Sequence, residues 1–233
     1  MKVLSLVMGM TILSLSVGTA VAQPAGQGAP QGEHSKDHGK GKDQGPPKSE
    51  ARKEGVKVGE VAPAIELKDT EGKSVSLGEL SKAGKVVVVY WFNPDCPLIK
   101  KHHEANKTFV DLFTKYKDQN VAFLAVNSGK PGEQGTGQDR NAKARDQYGM
   151  AYPVVLDESG AVGRAYGART TPHCFVVGAD GKVAYMGAID DDPSPRNPGK
   201  TNYVAKALDE VLAKKPVSTP ETRPYGCSVK YGR

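Results

Sequence analysis

The sequence predicts an α/β domain, a central mixed β-sheet flanked by helices, on three observations. The segment 86–92 is an unbroken β-branched and aromatic run, Val86-Val87-Val88-Val89-Tyr90-Trp91-Phe92. A strand apolar on both faces belongs at the centre of a sheet that is covered on both sides. Next, Leu98, His102, Ala105, Phe109, Leu112, Phe113 and Tyr116 fall at helical spacing, with Lys100, Lys101, Glu104, Asn106, Lys107 and Asp111 between them. This reads as an amphipathic helix of about five turns. Val121 to Val126 is a second apolar run, and the order strand, helix, strand implies a parallel pair with a right-handed crossover.

Along the chain from its start, Lys2 precedes an apolar run from Val3 to Val17, followed by Ala20-Val21-Ala22. This predicts a secretory signal peptide over 1–22, cleaved after Ala22, and hence an exported protein, periplasmic or secreted. No other segment is long and apolar enough to span a bilayer, so the mature protein is expected not to cross the membrane. Residues 23–55 contain no Val, Ile, Leu, Met, Phe, Trp or Tyr, and Gly and Pro supply 11 of these 33 residues. Such a segment cannot offset its ordering entropy by burial and is expected to be a disordered linker. His34 and His38 lie within it among Lys and Asp, a pattern that is solubilising more often than metal-binding.

The folded domain is placed at 56–215, about 160 residues and enough for one core, with a tail over 216–233. Its first elements are a strand, turn and strand from Ala64 to Ser76, then a helical turn with Leu77 and Leu80. After the two central strands come a short helix over Arg140–Tyr148, a strand over Pro153–Leu156 and a helix over Ala161–Tyr166. Phe175–Val177 and Val183–Met186 flank Ala179-Asp180-Gly181, and the Asp-Gly pair marks a hairpin. Val204, Leu208, Val211 and Leu212 describe a last amphipathic helix. The formal net charge of +6 falls to +5 when Lys2 leaves with the signal. Acidic residues are interspersed throughout, with no basic stripe interleaved with aromatics, so nucleic acid is not an expected partner.

At the junction of the central strand and the long helix stands Trp91-Phe92-Asn93-Pro94-Asp95-Cys96-Pro97. Pro97 suits the first helical position, where its missing N–H has no partner to lose. Cys96 is then the expected N-cap, where the N–H of Leu98 or Ile99 and the helix dipole favour a thiolate. Lys100 adds to the positive field and Asp95 opposes it.

These residues, with Thr171-Pro172 ahead of the hairpin, resemble the thioredoxin superfamily and within it the redoxins of the alkyl hydroperoxide reductase and thiol-specific antioxidant group. The resemblance runs from about Val56 to Tyr231 and is nearest to peroxiredoxin-like redoxins with one Cys-Pro, a Gly-x-Ile-Asp-Asp segment and a terminal Gly-Cys-Ser tail. Here these are Gly187-Ala188-Ile189-Asp190-Asp191 and Gly226-Cys227-Ser228. The resemblance implies a thioredoxin-like fold, a catalytic Cys96, and substrate positioning by Trp91, Pro97, Thr171 and Pro172, the last at the place of the cis-proline. No cofactor and no metal are expected. The chain departs from thioredoxins by having Ile99 where the second Cys of Cys-x-x-Cys would stand. It departs from peroxiredoxins by having Val89 and Asn93 where Pro and Thr or Ser precede the peroxidatic Cys.

Three cysteines are an odd number for an exported protein, which normally pairs them. Cys227 lies in a polar tail long enough to wrap across the domain, and its expected partner is Cys96. Two readings stand side by side: a resolving thiol replacing the missing second Cys, or a permanent structural disulfide to either other Cys. Cys174, in an apolar strand, is expected to be buried and inert, and His173 beside it to lie at an edge or on the surface. His102 and His103 are about 10 Å beyond Cys96 along the helix axis, too far to take its proton.

Three functions follow. The first is a thiol-disulfide oxidoreductase in which Cys96 attacks and Cys227 resolves, acting on a protein or low-molecular-weight disulfide and restored by an external thiol reductant. The second is a peroxide reductase with the same two thiols, and the third a non-catalytic redoxin module that binds a partner or handles copper.

Overall fold

The computed structural model describes residues 55–232. The signal peptide expected over 1–22 and all but the last residue of the linker expected over 23–55, with His34 and His38, lie outside the described residues.

The centre of the molecule is a five-stranded sheet in the order β5-β4-β3-β7-β8. It is built on β3 (Val86–Trp91), whose every residue is buried. β3 runs parallel to β4 (Val121–Asn127), which is parallel to β5 (Val154–Leu156). On its other side β3 pairs antiparallel with β7 (Cys174–Val177), which turns back into β8 (Val183–Gly187). The mixed sheet and its hairpin are those the apolar runs and the Asp-Gly turn predict.

Period-two alternation sends successive β3 side chains to two cores. Val86, Val88, Tyr90 and Phe92 pack with α3 (Thr108–Tyr116), α4 (Gln138–Gln147) and α6 (Tyr203–Leu212). Val87, Val89 and Trp91 pack on the other side with Ile65, with Leu77 of α1 (Leu77–Lys82) and with Tyr166 of α5 (Ala161–Tyr166). A small hairpin of β1 (Glu66–Lys68) and β2 (Ser74–Ser76) borders this second layer. The order of elements and the two-layer cover make this a thioredoxin-like fold.

One helix departs from expectation. In place of five continuous turns there are α2 (Pro97–Lys100), a π-helical turn over Lys101–Ala105, a break at Asn106 and Lys107, and then α3. Lys107 takes a left-handed φ of 51°, and the Asn106 amide donates to the carbonyl of Lys101 at 3.0 Å. The wider turn carries Lys101, His102 and His103 together into the interior. Lys101, read from the sequence as part of the polar face, is thereby a buried residue. π-Turns of this kind are frequent at functional sites.

The tail is not a loose polar end. Pro220 and Thr222 hydrogen-bond the edge of β8 through Met186. Further on, β9 (Cys227–Ser228) pairs antiparallel with β6 (Thr170–Thr171).

Candidate active site

β3 ends beneath a short loop that delivers Cys96 to the start of α2. The Asn93 side chain accepts from the Asp95 N–H at 2.9 Å and donates to the Gln134 carbonyl at 2.9 Å. Gly135 backs directly onto Asn93, so the Gly-rich segment after β4 buttresses the loop. The charge of Asp95, expected to oppose a thiolate, is taken up by Arg140, whose Nε and Nη2 lie 3.1 and 2.5 Å from Oδ1.

Cys96 is the N-cap with Pro97 at the first helical position, as the sequence predicts, but its sulfur makes no capping hydrogen bond. It turns the other way. The Cys96 thiol donates to the Thr171 carbonyl at 3.0 Å, and its Sγ lies 2.9 Å from Cys227 Sγ. The Thr171–Pro172 peptide is cis, and both residues are buried. Pro97 is exposed at the mouth of the site, while Cys96 itself is only 3% exposed.

Cys227 is held there by backbone on both sides. Thr171 faces Cys227 and Thr170 faces Ser228 in the β6–β9 register. The Val229 N–H donates to the Arg169 carbonyl at 3.1 Å. The Tyr231 hydroxyl reaches the Ala168 carbonyl at 2.9 Å, with its ring under Arg164. Burial pushes the Cys227 thiol up to about 11, reinforced by its hydrogen bond with Cys96 and by the charge Cys96 carries when ionised. Cys227 therefore keeps its proton near neutral pH.

Trp91, expected to help position substrate, belongs to the opposite core. It is fully buried there against Tyr166 and Phe175, and its Nε1 donates to Ser128 Oγ at 2.9 Å. Cys174 is fully buried, and burial raises its thiol well above the ordinary value. His173, expected at an edge or on the surface, is instead 2% exposed. Its ring packs on Phe175, and its Nδ1 accepts from the Arg169 N–H at 3.4 Å. His173 lies between β6 and β7, where the alternation of a continuous strand does not apply. Among the described residues no three His, Cys, Asp or Glu side chains gather as a metal-binding set.

The site has neighbours that sequence spacing did not bring in. His102 lies between Thr108 Oγ1, 3.1 Å from its Nδ1, and the Tyr225 hydroxyl, 3.1 Å from its Nε2. The Tyr225 hydroxyl also donates to Asp190 Oδ1. His103 Nε2 sits 3.3 Å from the Tyr90 hydroxyl, and the ring stacks between Phe109 and Tyr148.

Burial pushes His103 and His173 down to about 3, helped by the neighbouring His102 and Arg169 respectively. The unfolded chain protonates these rings near 6.5 and the folded chain does not, so the unfolded state binds more protons as pH falls. Stability is therefore full above about pH 6.5 and drops toward pH 3 by about 1.4 kcal/mol per pH unit for each ring. Urea unfolding between about pH 7 and pH 4.5 should show a midpoint that falls steadily; a flat midpoint would contradict the neutral, buried rings.

The comparisons with known proteins bear on this geometry. The redoxin family model matches residues 57–204. The thiol-disulfide oxidoreductase ResA of Bacillus subtilis is 33% identical over 135 residues, covering 57% of this chain and 68% of the relative. ResA of Halalkalibacterium halodurans is 33% identical over 129 residues, 54% of this chain and 66% of the relative. The match thus spans about two thirds of these relatives. Among solved structures, an uncharacterized conserved protein of Geobacillus kaustophilus superposes with a TM-score of 0.67 at 28% identity, over 76% of this chain and 93% of that one. A hypothetical protein of Sinorhizobium meliloti gives 0.65 at 27%, over 76% and 96%. With a family model matched over more than half its length and a thioredoxin-like fold that places a Cys-Pro helix start against a cis-proline, the chain belongs to the redoxin family.

Proposed function

We propose that this protein is a thiol-disulfide oxidoreductase in which Cys96 and Cys227 form the redox pair. The observation that carries this reading is the approach of the two sulfurs to 2.9 Å, with Cys227 delivered by a strand pairing that ends on Thr171. A disulfide bond is roughly 2.05 Å long, so little movement separates the two thiols from bonding distance. The names of the ResA relatives support the same chemistry.

The Cys96 thiolate attacks one sulfur of a substrate disulfide. The other substrate sulfur leaves as a thiolate and takes a proton, and a mixed disulfide on Cys96 remains. Cys227 then loses its proton and attacks Cys96 Sγ, and the second substrate sulfur leaves. Two electrons have passed to the substrate, and Cys96 and Cys227 are joined. An external dithiol returns the pair to the reduced state. With the signal sequence expected over 1–22, this chemistry takes place outside the cytoplasm.

The test is a trap. Reduced Cys227→Ser protein, mixed with insulin as a disulfide substrate, should stop at a mixed disulfide that peptide mapping places on Cys96. The unaltered chain should instead release reduced insulin and end as the Cys96–Cys227 disulfide. Equal insulin reduction by both, with no adduct on Cys96, would sink the assignment. Rapid consumption of hydrogen peroxide by the unaltered chain, with no insulin reduction, would put the peroxide reading in its place.

A further inference from the structure

Two residues before Cys227, the tail inserts Tyr225 into a buried charged cluster that the exchange chemistry does not itself use. The Lys101 side chain is wholly inaccessible and that of Asp190 is 2% exposed. Lys101 Nζ donates to the Asp192 carbonyl at 2.5 Å, lies 4.0 Å from Asp190 Oδ1, and sits 5.4 Å from the centre of the Tyr225 ring. Asp190 Oδ1 accepts a hydrogen bond from the Tyr225 hydroxyl. Because the hydroxyl proton is committed to that bond, the Tyr225 oxygen must accept from His102, which places a proton on His102 Nε2 and leaves Nδ1 to accept from Thr108. Burial holds His102 neutral, down to about 4, Lys101 pushes the same way, and the attraction of Asp190 only partly offsets them. Every proton in the chain Thr108, His102, Tyr225, Asp190 is thus assigned, and the Tyr225 hydroxyl is the link contributed by the tail.

The cluster exists because the π-turn carries Lys101 and His102 inward and because Asp190 follows β8. Withdrawing Tyr225 would leave His102 Nε2–H and one acceptor position of Asp190 without their partner in a buried place, which opposes release. Yet some release is needed, because Cys96 is 3% exposed beneath the docked tail and a bulky disulfide cannot reach it there.

Resting on the proposed exchange reaction, we infer that Tyr225 is a positioning residue for it. Seated in the Lys101–His102–Asp190 cluster, its hydroxyl latches the tail so that Cys227 meets Cys96, and its withdrawal opens Cys96 to substrate. The latch makes opposite contributions to the two halves of the reaction: it hinders substrate attack at Cys96 and favours resolution by Cys227.

The experiment uses the full reduced chain with 5,5′-dithiobis(2-nitrobenzoic acid), following release of thionitrobenzoate. One equivalent leaves when Cys96 attacks the reagent and a second when Cys227 displaces the bound half. Tyr225→Ala and Tyr225→Phe should speed the first release and slow the second about tenfold. The reduction potential of the Cys96–Cys227 pair should rise with the same tenfold loss of effective concentration, about 30 mV for a two-electron couple. Leu212→Ala, a packing change on α6, should lower thermal stability and leave both steps and the potential unmoved. Tyr225→Phe keeps the ring and removes only the hydroxyl, so it carries the test if Tyr225→Ala does not fold. Unchanged steps and potential in Tyr225→Phe would overturn the latch, and so would slowing of both steps together. If the unaltered chain never joins Cys96 to Cys227, it is the exchange reading that fails, and the latch falls with it.

Discussion

Replacing Cys96 by serine is expected to reduce insulin reduction to the background of the reductant alone while leaving the fold in place. The hydroxyl of serine is not ionised near neutral pH and does not attack a disulfide, whereas the thiolate is the nucleophile of exchange. Structurally the change is small. A serine hydroxyl can still donate to the Thr171 carbonyl that the thiol now meets at 3.0 Å, so the stability cost should stay near about 1 kcal/mol. Cys227 should respond as well. Part of what holds its thiol at about 11 is Cys96, through the hydrogen bond and the charge. Without that partner Cys227 titrates lower, and its alkylation by iodoacetamide at mildly alkaline pH should be faster than in the unaltered chain. Full insulin reduction by Cys96→Ser would remove this residue from the chemistry, and partner binding that survives in the variant would favour a binding module. The same substitution therefore separates an enzyme from a module by activity and a nucleophile from a structural thiol by its effect on Cys227.

Much of this architecture was legible because its signals are local. The run at 86–92 announced a strand buried on both faces, and all of β3 is buried. Ala161–Tyr166 was read with the bounds it has, and the Asp-Gly turn placed the β7–β8 hairpin. The Cys96 N-cap and Pro97 followed from the different demands of the first helical positions on N–H groups. What could not be read arises from contacts distant along the chain. The helical pattern of 98–116 continues across Asn106 with no break in apolar spacing, and nothing in it shows a π-turn that buries a lysine. The reason for that turn lies some ninety residues on, at Asp190 and Asp192. His173 escapes local reading because it lies between the two-residue β6 and β7, and its burial comes from packing on Phe175 and the Arg169 backbone. Tyr225 is, in sequence, one aromatic in a polar tail. A signal was present all the same: Tyr225-Gly226-Cys227 puts an aromatic, a glycine and a thiol in succession where composition otherwise turns polar.

That glycine supplies the second large effect. Gly226 adopts φ of +133°, and a Cβ there would stand 2.2 Å from the Thr171 carbonyl oxygen, 2.7 Å from its carbon and 3.2 Å from Pro172 N. All three are backbone atoms of the segment that also meets Cys96, so no side-chain rotation relieves the overlap. Gly226→Ala is therefore expected to push the tail strand off β6, at a cost of at least about 2 kcal/mol for the strained backbone alone. The domain should remain folded, because its two cores are built from the central sheet and its helices. A loss of that size is roughly thirtyfold in the effective concentration of Cys227 at Cys96, so the potential of the pair should rise by about 40 mV. Resolution of a Cys96 mixed disulfide should slow in proportion, and Cys96, no longer covered, should react faster with small alkylating reagents. A variant that keeps both the potential and the shielding of Cys96 would show that Cys227 reaches Cys96 without the β6–β9 pairing. The tail would then be a tether and not the strand that sets the geometry of the exchange.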